Sequence, residues 1–159
     1  MARKYTQIHD QLLTEFLIEN FPAGNYIIYP RVGSIKEEHL EGLTESEKMA
    51  MSPWKLRPDA IAWRDNTLYI IELIVRANEW YKYAKLIEYE RAIKMDPLYK
   101  KFLDFKFEKW LVSTEENEFA KRQCEAFGVK FIKFAPTWAL PYLASLPKRK
   151  IRPYGEILE

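Results

Sequence analysis

The sequence predicts an α/β (α+β) fold, a mixed β-sheet flanked by helices in the order helix, strand, strand, strand, helix, strand, helix, strand. Three observations predict it. Apolar residues recur at helical spacing near the N-terminus, two β-branched runs meet at Asp65-Asn66, and strand-like and helix-like segments then alternate to residue 135. With 159 residues, 48% of them hydrophobic and 30% charged, the chain suits a single domain over 1–159 with a real core.

Ile8, Leu12, Leu13, Phe16 and Leu17 predict an amphipathic helix over 5–20, ended by Phe21-Pro22-Ala23-Gly24. Residues 25–32 have the aromatic and β-branched content of a strand, which Pro30 confines to an edge or bulge. The stretch 33–57 is acidic through Glu37, Glu38, Glu41, Glu45 and Glu47 and contains Gly42 and Pro53. It reads as a mobile insertion with one short helix near 44–51.

Strands follow at 58–64 and 67–75, then a helix over 79–95 that Asn78 caps and Pro97 stops. Residues 105–113 read as a strand. Ser113 and Glu116 form a capping box that opens a helix to about 127, and Gly128 is its C-terminal cap. A last strand spans 129–135. If 67–75 and 105–113 are parallel neighbours, their connection is a right-handed crossover. Pro136, Pro141, Pro147 and Pro153 break 136–159 into an irregular tail, basic at Lys148, Arg149, Lys150 and Arg152.

No apolar run of membrane-spanning length and no apolar N-terminal segment is present, so an intracellular, cytoplasmic protein with no membrane partner is expected. Cys124 stands alone, which argues against a disulfide scaffold or zinc site and for a buried thiol on a helix. The net charge of +2 does not mark a nucleic-acid binder. The acidic 35–48 against the basic 82–101 and tail allows a one-sided positive surface, or equally a set of solvated helix faces.

The chemistry-bearing feature is a pair of carboxylates. Asp and Asn tolerate the positive φ of a two-residue hairpin turn, so a loop at Asp65-Asn66 pairs 64 with 67, 63 with 68 and finally Asp59 with Glu72. Directly opposed like charges are destabilising without a cation between them, and a divalent metal is the natural candidate. Glu72 also lies inside an apolar run, where an unpaired charge is costly. The alternative is a structural ion pair of Glu72 with Arg57, Arg64 or Arg76.

On the following helix, Lys82, Lys85 and Tyr89 fall along one stripe, with Trp80, Tyr83, Ala84 and Ile87 roughly opposite. Either lysine can reach over the hairpin, Lys85 first and Lys82 second, or serve only as a surface lysine. Glu88 sits at pairing distance from Lys85 along the helix. Candidate DNA contacts are Trp54, Lys55, Arg57, Arg76, Tyr89 and the basic tail. Neither a recognition-helix motif nor a Gly-rich phosphate loop is present. His9 and His39 are widely spaced and read as non-catalytic.

This element order, with Pro58-Asp59 and Glu72 13 residues later inside the next apolar strand, resembles the PD-(D/E)XK nuclease superfamily over residues 5–135. The resemblance implies a restriction-endonuclease-like αβββαβαβ core and an Asp and Glu on adjacent strands that hold magnesium. It also implies a lysine two residues after the Glu, where this chain has Ile74. Superfamily branches carry that lysine on the next helix with a Tyr four residues on, and Lys85 and Tyr89 match that spacing. The implied catalytic set is Asp59, Glu72, Lys85 or Lys82, with Glu15 as an additional acid for which Glu19 or Asp10 serves as well on spacing.

Mg²⁺ or Mn²⁺ would take Asp59, Glu72 and the Leu73 carbonyl, all oxygen donors. The expected function is a metal-dependent DNA nuclease (an endonuclease-type hydrolase). The alternatives are a nuclease-fold DNA-binding or assembly protein without catalysis, and an interaction module. In the latter the five Trp, ten Tyr and nine Phe supply a homodimer interface.

Overall fold

A five-stranded mixed sheet organises the chain in the computed structural model, which describes residues 2–33, 41–50, 56–146, 150–151 and 157–158. The elements are α1 (Ala2–Asn20), β1 (Tyr26–Ile28), α2 (Glu45–Ala50), β2 (Ala60–Arg64) and β3 (Thr67–Ile74). A 3-10 turn (Ala77–Lys82) leads into α3 (Tyr83–Met95), and a second (Pro97–Phe102) leads to β4 (Lys106–Ser113). Then come α4 (Glu118–Ala126), β5 (Val129–Lys133), a third 3-10 turn (Thr137–Ala139), α5 (Leu140–Ser145) and a ladder of β6 (Lys150–Ile151) with β7 (Ile157–Leu158). The sheet order follows the chain, β1-β2-β3-β4-β5. The first two pairings are antiparallel and the last two parallel, which is the mixed sheet flanked by helices that the sequence predicts.

The hairpin forms as its turn residues dictate. Asp65 and Asn66 adopt φ of 50° and 60°, and Arg64 pairs with Thr67, Trp63 with Leu68 and Ala60 with Ile71. β1 is an edge strand, shorter than 25–32. Tyr29 turns to a φ of 52° and Pro30 follows, so the ladder stops at Ile28. Among the described residues before β2, the chain next takes up β structure in the isolated Val32–Leu56 bridge.

Two predicted helix starts move. Arg76, not Asn78, holds the extended φ/ψ that precedes the helical turns, so Asn78 lies inside the 3-10 turn and caps nothing. It is buried instead, and its Oδ1 has no hydrogen-bond partner among the described residues. Ser113 continues β4 and accepts from the Glu115 N–H, while Asn117 is extended and caps α4 by accepting from Ala120 N. Gly128 closes α4 at φ 74° with its N–H on the Glu125 carbonyl, as expected.

Alternation along β3 divides the core into two layers. Leu68, Ile70 and Ile74 meet Leu86, Tyr89 and Ile93 of α3 and Ala120 and Cys124 of α4. Tyr69, Ile71, Leu73 and Val75 meet Leu12, Leu13, Phe16 and Leu17 of α1. Cys124 is a buried free thiol, and burial pushes its pKa up to about 12. The tail is less irregular than expected, because Trp138, Tyr142 and Leu143 pack on the α1 layer. Lys148, Arg149 and Arg152 lie outside the described residues, as do His39, Glu37, Glu38, Trp54 and Lys55. No described helix is long and apolar enough to cross a membrane.

Candidate active site

Asp59 immediately precedes β2 and Glu72 lies in β3, so the register that pairs Ala60 with Ile71 sets these two carboxylates side by side. They are joined by a reciprocal clamp. The Asp59 N–H donates to Glu72 Oε1 at 3.2 Å, and the Leu73 N–H donates to Asp59 Oδ2 at 2.8 Å. Each acid therefore fixes the backbone of the strand carrying the other.

Parity along β3 turns Glu72 toward α3, where it is only 5% exposed. Burial, then the negative charge of Asp59, raises its pKa from 4.5 to about 7. The charges of Lys85 and Lys82 and the Asp59 N–H oppose that rise without cancelling it. Lys85 is exposed, whereas Lys82 is partly buried and paired with Glu79 at 3.5 Å. Ile74, two residues after Glu72, faces the same layer and is fully buried beneath α3. Cationic side chains thus reach this face from the helix and not from the strand.

The stripe of Lys82, Lys85 and Tyr89 splits in the folded helix. Tyr89 is buried with Leu86 and Ile93, and Ala84 is exposed. The Tyr89 hydroxyl hydrogen-bonds to Glu72, and its oxygen also lies 3.4 Å from the Arg57 carbonyl, so its one proton serves one of the two at a time. Burial and the nearby carboxylates raise its pKa. Tyr89 therefore braces the carboxylate from within the protein, a position from which it does not present a ring to DNA. Glu88 pairs with Arg91 at 4.0 Å rather than with Lys85.

Among the arginines weighed as partners of Glu72, Arg64 donates to the Asn20 carbonyl at 2.6 Å, and Arg57 lies over the Tyr29 ring at 4.5 Å from its centroid. Arg57 is exposed beside the carboxylates, and Arg76 lies just past the end of β3. Glu15 is held by the Trp138 indole N–H, six positions along α1 from the residue that does reach the carboxylates.

That residue is His9. Its Nε2 lies 2.9 Å from the Leu73 carbonyl oxygen and 3.2 Å from Asp59 Oδ2, and its Nδ1 lies 3.1 Å from the Tyr29 hydroxyl. The Tyr29 hydroxyl in turn donates to Asp10. Burial lowers the pKa of His9, but the hydrogen bond and charge of Asp59, with the Leu73 carbonyl and Asp10, outweigh it and leave a net rise. Desolvation and the bond to Asp10 raise the pKa of Tyr29. A signal for His9 was present in the sequence. It stands three and four residues before Leu12 and Leu13, on the apolar stripe of α1, where a titratable side chain needs a partner across the layer.

In comparisons with known proteins, no family model and no curated protein matches the chain. Asp59, Glu72 and the Leu73 carbonyl are hard oxygen donors suited to Mg²⁺ or Mn²⁺, and Glu72 is a buried acid whose ionised form lacks full compensation. Among the described residues no group of three or more His, Cys, Asp or Glu side chains forms a preassembled cage. Two carboxylates fit Mg²⁺ better than zinc, because Mg²⁺ commonly takes one or two protein carboxylates and keeps several waters.

Proposed function

We propose that the chain is a metal-dependent DNA nuclease that hydrolyses phosphodiester bonds at Asp59 and Glu72. The observation that carries this reading is the clamped pair of carboxylates, one buried and raised to about 7, with the charges of Lys85 and Lys82 bearing on it from α3. Mg²⁺ or Mn²⁺ held by Asp59, Glu72 and the Leu73 carbonyl would supply charge neutralisation on the phosphate and a more acidic water.

The chain's own groups divide the remaining work. Asp59 and Glu72 keep their oxygens fixed through the reciprocal N–H bonds, and Tyr89 holds Glu72 from behind. Lys85, exposed on a long flexible stem, orients the attacking water or binds the scissile phosphate, and Lys82 is the second choice because Glu79 engages its ammonium. Arg57 and Arg76 flank the carboxylates on the chain and bind neighbouring phosphates, with Lys55 preceding them.

The test is incubation of purified protein with linear and circular DNA plus Mg²⁺, Mn²⁺ or EDTA, beside Glu72→Ala. Cleavage that needs the metal and Glu72 is expected. Cleavage by a folded Glu72→Ala protein overturns the assignment.

The buried Ile74 favours a second reading, a DNA-binding or assembly protein of nuclease-like fold without catalysis. It predicts salt-sensitive DNA binding and no cleavage in any metal. Among the described residues a homodimer would find few exposed aromatics. Trp80, Tyr89, Tyr99, Phe102, Trp110 and Phe131 are buried in the chain's own core, which leaves Tyr81 and Phe127 among the exposed ones.

A further inference from the structure

The imidazole of His9 stands against two of the three groups assigned to the cation. The Leu73 carbonyl can only accept a hydrogen bond, so Nε2 at 2.9 Å from it carries a proton, and the same N–H faces Asp59 Oδ2 at 3.2 Å. On the other side of the ring, Nδ1 lies 3.1 Å from the Tyr29 hydroxyl, which donates to Asp10. The imidazole is therefore lodged between Asp59 and Asp10, with its Nε2–H on the oxygens assigned to the cation.

The ring is also held in place. His9 Nδ1 is 3.7 Å from Asp10 Oδ1, the Tyr29 ring stacks on it at a 16° interplanar angle, and Arg57 lies over the Tyr29 ring. Tyr29 follows the end of β1 at a φ of 52°, and its N–H still donates to the Asp59 carbonyl at 2.8 Å, which anchors it beside the carboxylates. An N–H aimed at an oxygen occupies the direction from which that oxygen would bind a metal, so the ring and the ion compete for the same oxygens.

We propose that His9 is a built-in placeholder for the divalent cation. Its N–H holds the Leu73 carbonyl and Asp59 in place while the site is metal-free, and metal binding displaces it. This rests on the metal-site reading given above. His9 is a positioning residue here, acting through Leu73 and Asp59, and Tyr29 and Asp10 form the seat from which it is released.

The test measures Mn²⁺ binding by calorimetry for the full chain and for His9→Ala, His9→Gln, Tyr29→Phe and Glu72→Ala, with the His9 ring nitrogens followed by long-range ¹H–¹⁵N spectra during Mg²⁺ titration. Removing the competing N–H donor is expected to tighten Mn²⁺ binding about tenfold in His9→Ala. Tyr29→Phe, which only loosens the seat, tightens it less, and the ring nitrogen shifts of the unmodified chain move as Mg²⁺ saturates.

Equal or weaker Mn²⁺ binding in both His9 variants, with binding still lost in Glu72→Ala, overturns the placeholder role and leaves the metal site standing. Binding that Glu72→Ala does not affect overturns the metal-site reading itself. His9→Gln, which keeps a neutral donor, guards against a folding defect in the alanine variant and is expected between the two.

Discussion

The two faces of the sheet are built from equally apolar layers but bring different chemistry to Asp59 and Glu72. From the α3 side come Glu72 itself, the bracing hydroxyl of Tyr89 and the charges of Lys82 and Lys85. From the α1 side comes a hydrogen-bonded chain of His9, Tyr29 and Asp10 that ends on Asp59 and Leu73. Glu72 answers to burial and Asp59 to specific partners, although the two acids are clamped to one another. The α3 layer thus carries what the proposed hydrolysis needs, and the α1 layer governs the site's resting state.

The sharpest way to break this division is to remove the α3 cation. Lys85→Ala is expected to lower metal-dependent cleavage by about 10²–10⁴-fold, the range for loss of a positioned proton-transfer group, while leaving Mn²⁺ affinity nearly unchanged. Lys82→Ala should lose less, because its ammonium already serves Glu79. Gel-based cleavage rates beside calorimetric affinities check both, and equal losses from the two variants would erase the ranking.

Core truncation tests whether the layers are equal as packing. Leu86 in the α3 layer and Leu13 in the α1 layer are both fully buried, so Leu86→Ala and Leu13→Ala should each cost about 2–5 kcal/mol in urea denaturation. A much smaller loss from one would show that its layer yields and refills.

A third prediction concerns pH. The folded-state pKa of Glu72 is raised, so the metal-free protein binds its proton more tightly folded than unfolded. The associated stability is fully present below about 4.5 and is lost as pH rises through about 7. The raised pKa of His9 acts in the same direction, its contribution disappearing as pH climbs above 6.5. Glu72→Gln should therefore flatten the decline. In EDTA, its advantage over the unmodified chain at pH 8 should reach on the order of 3 kcal/mol at most and vanish near pH 4. Urea midpoints at pH 4, 6 and 8 measure it, and saturating Mg²⁺ should narrow the gap at pH 8.

The smallest effect belongs to the turn both faces share. Asn66→Gly suits the φ of 60° without a side chain and should change stability by less than about 1 kcal/mol, whereas Asn66→Val should destabilise by about 1–2 kcal/mol. Thermal melts of the two variants separate these outcomes.

How much of this was legible in the sequence follows from distance along the chain. The turn residues Asp65 and Asn66 set the register of Asp59 and Glu72 locally, so the carboxylate pair and the sheet around it could be read. His9 reaches Leu73 across 64 positions, and that contact depends on how α1 lies over the sheet, which no local signal fixes. Tyr89 fits a polar stripe as well as an apolar one, and only packing with Leu86 and Ile93 decides between them. Asn78 and Ser113 failed as caps because a 3-10 turn begins one residue before Asn78 and β4 runs on through Ser113, which moves both helix boundaries.

The hairpin turn has a further consequence for how the molecule is made. Closing a two-residue loop takes little chain entropy, and hairpins form in roughly 1–10 μs, whereas parallel pairing of β3 with β4 must wait for the whole α3 crossover. The two acids therefore meet early on the folding route, in water, before either layer has covered them. Their repulsion is then a kinetic hurdle that acid pH or a divalent cation lowers, so the ion proposed for turnover would also hasten folding.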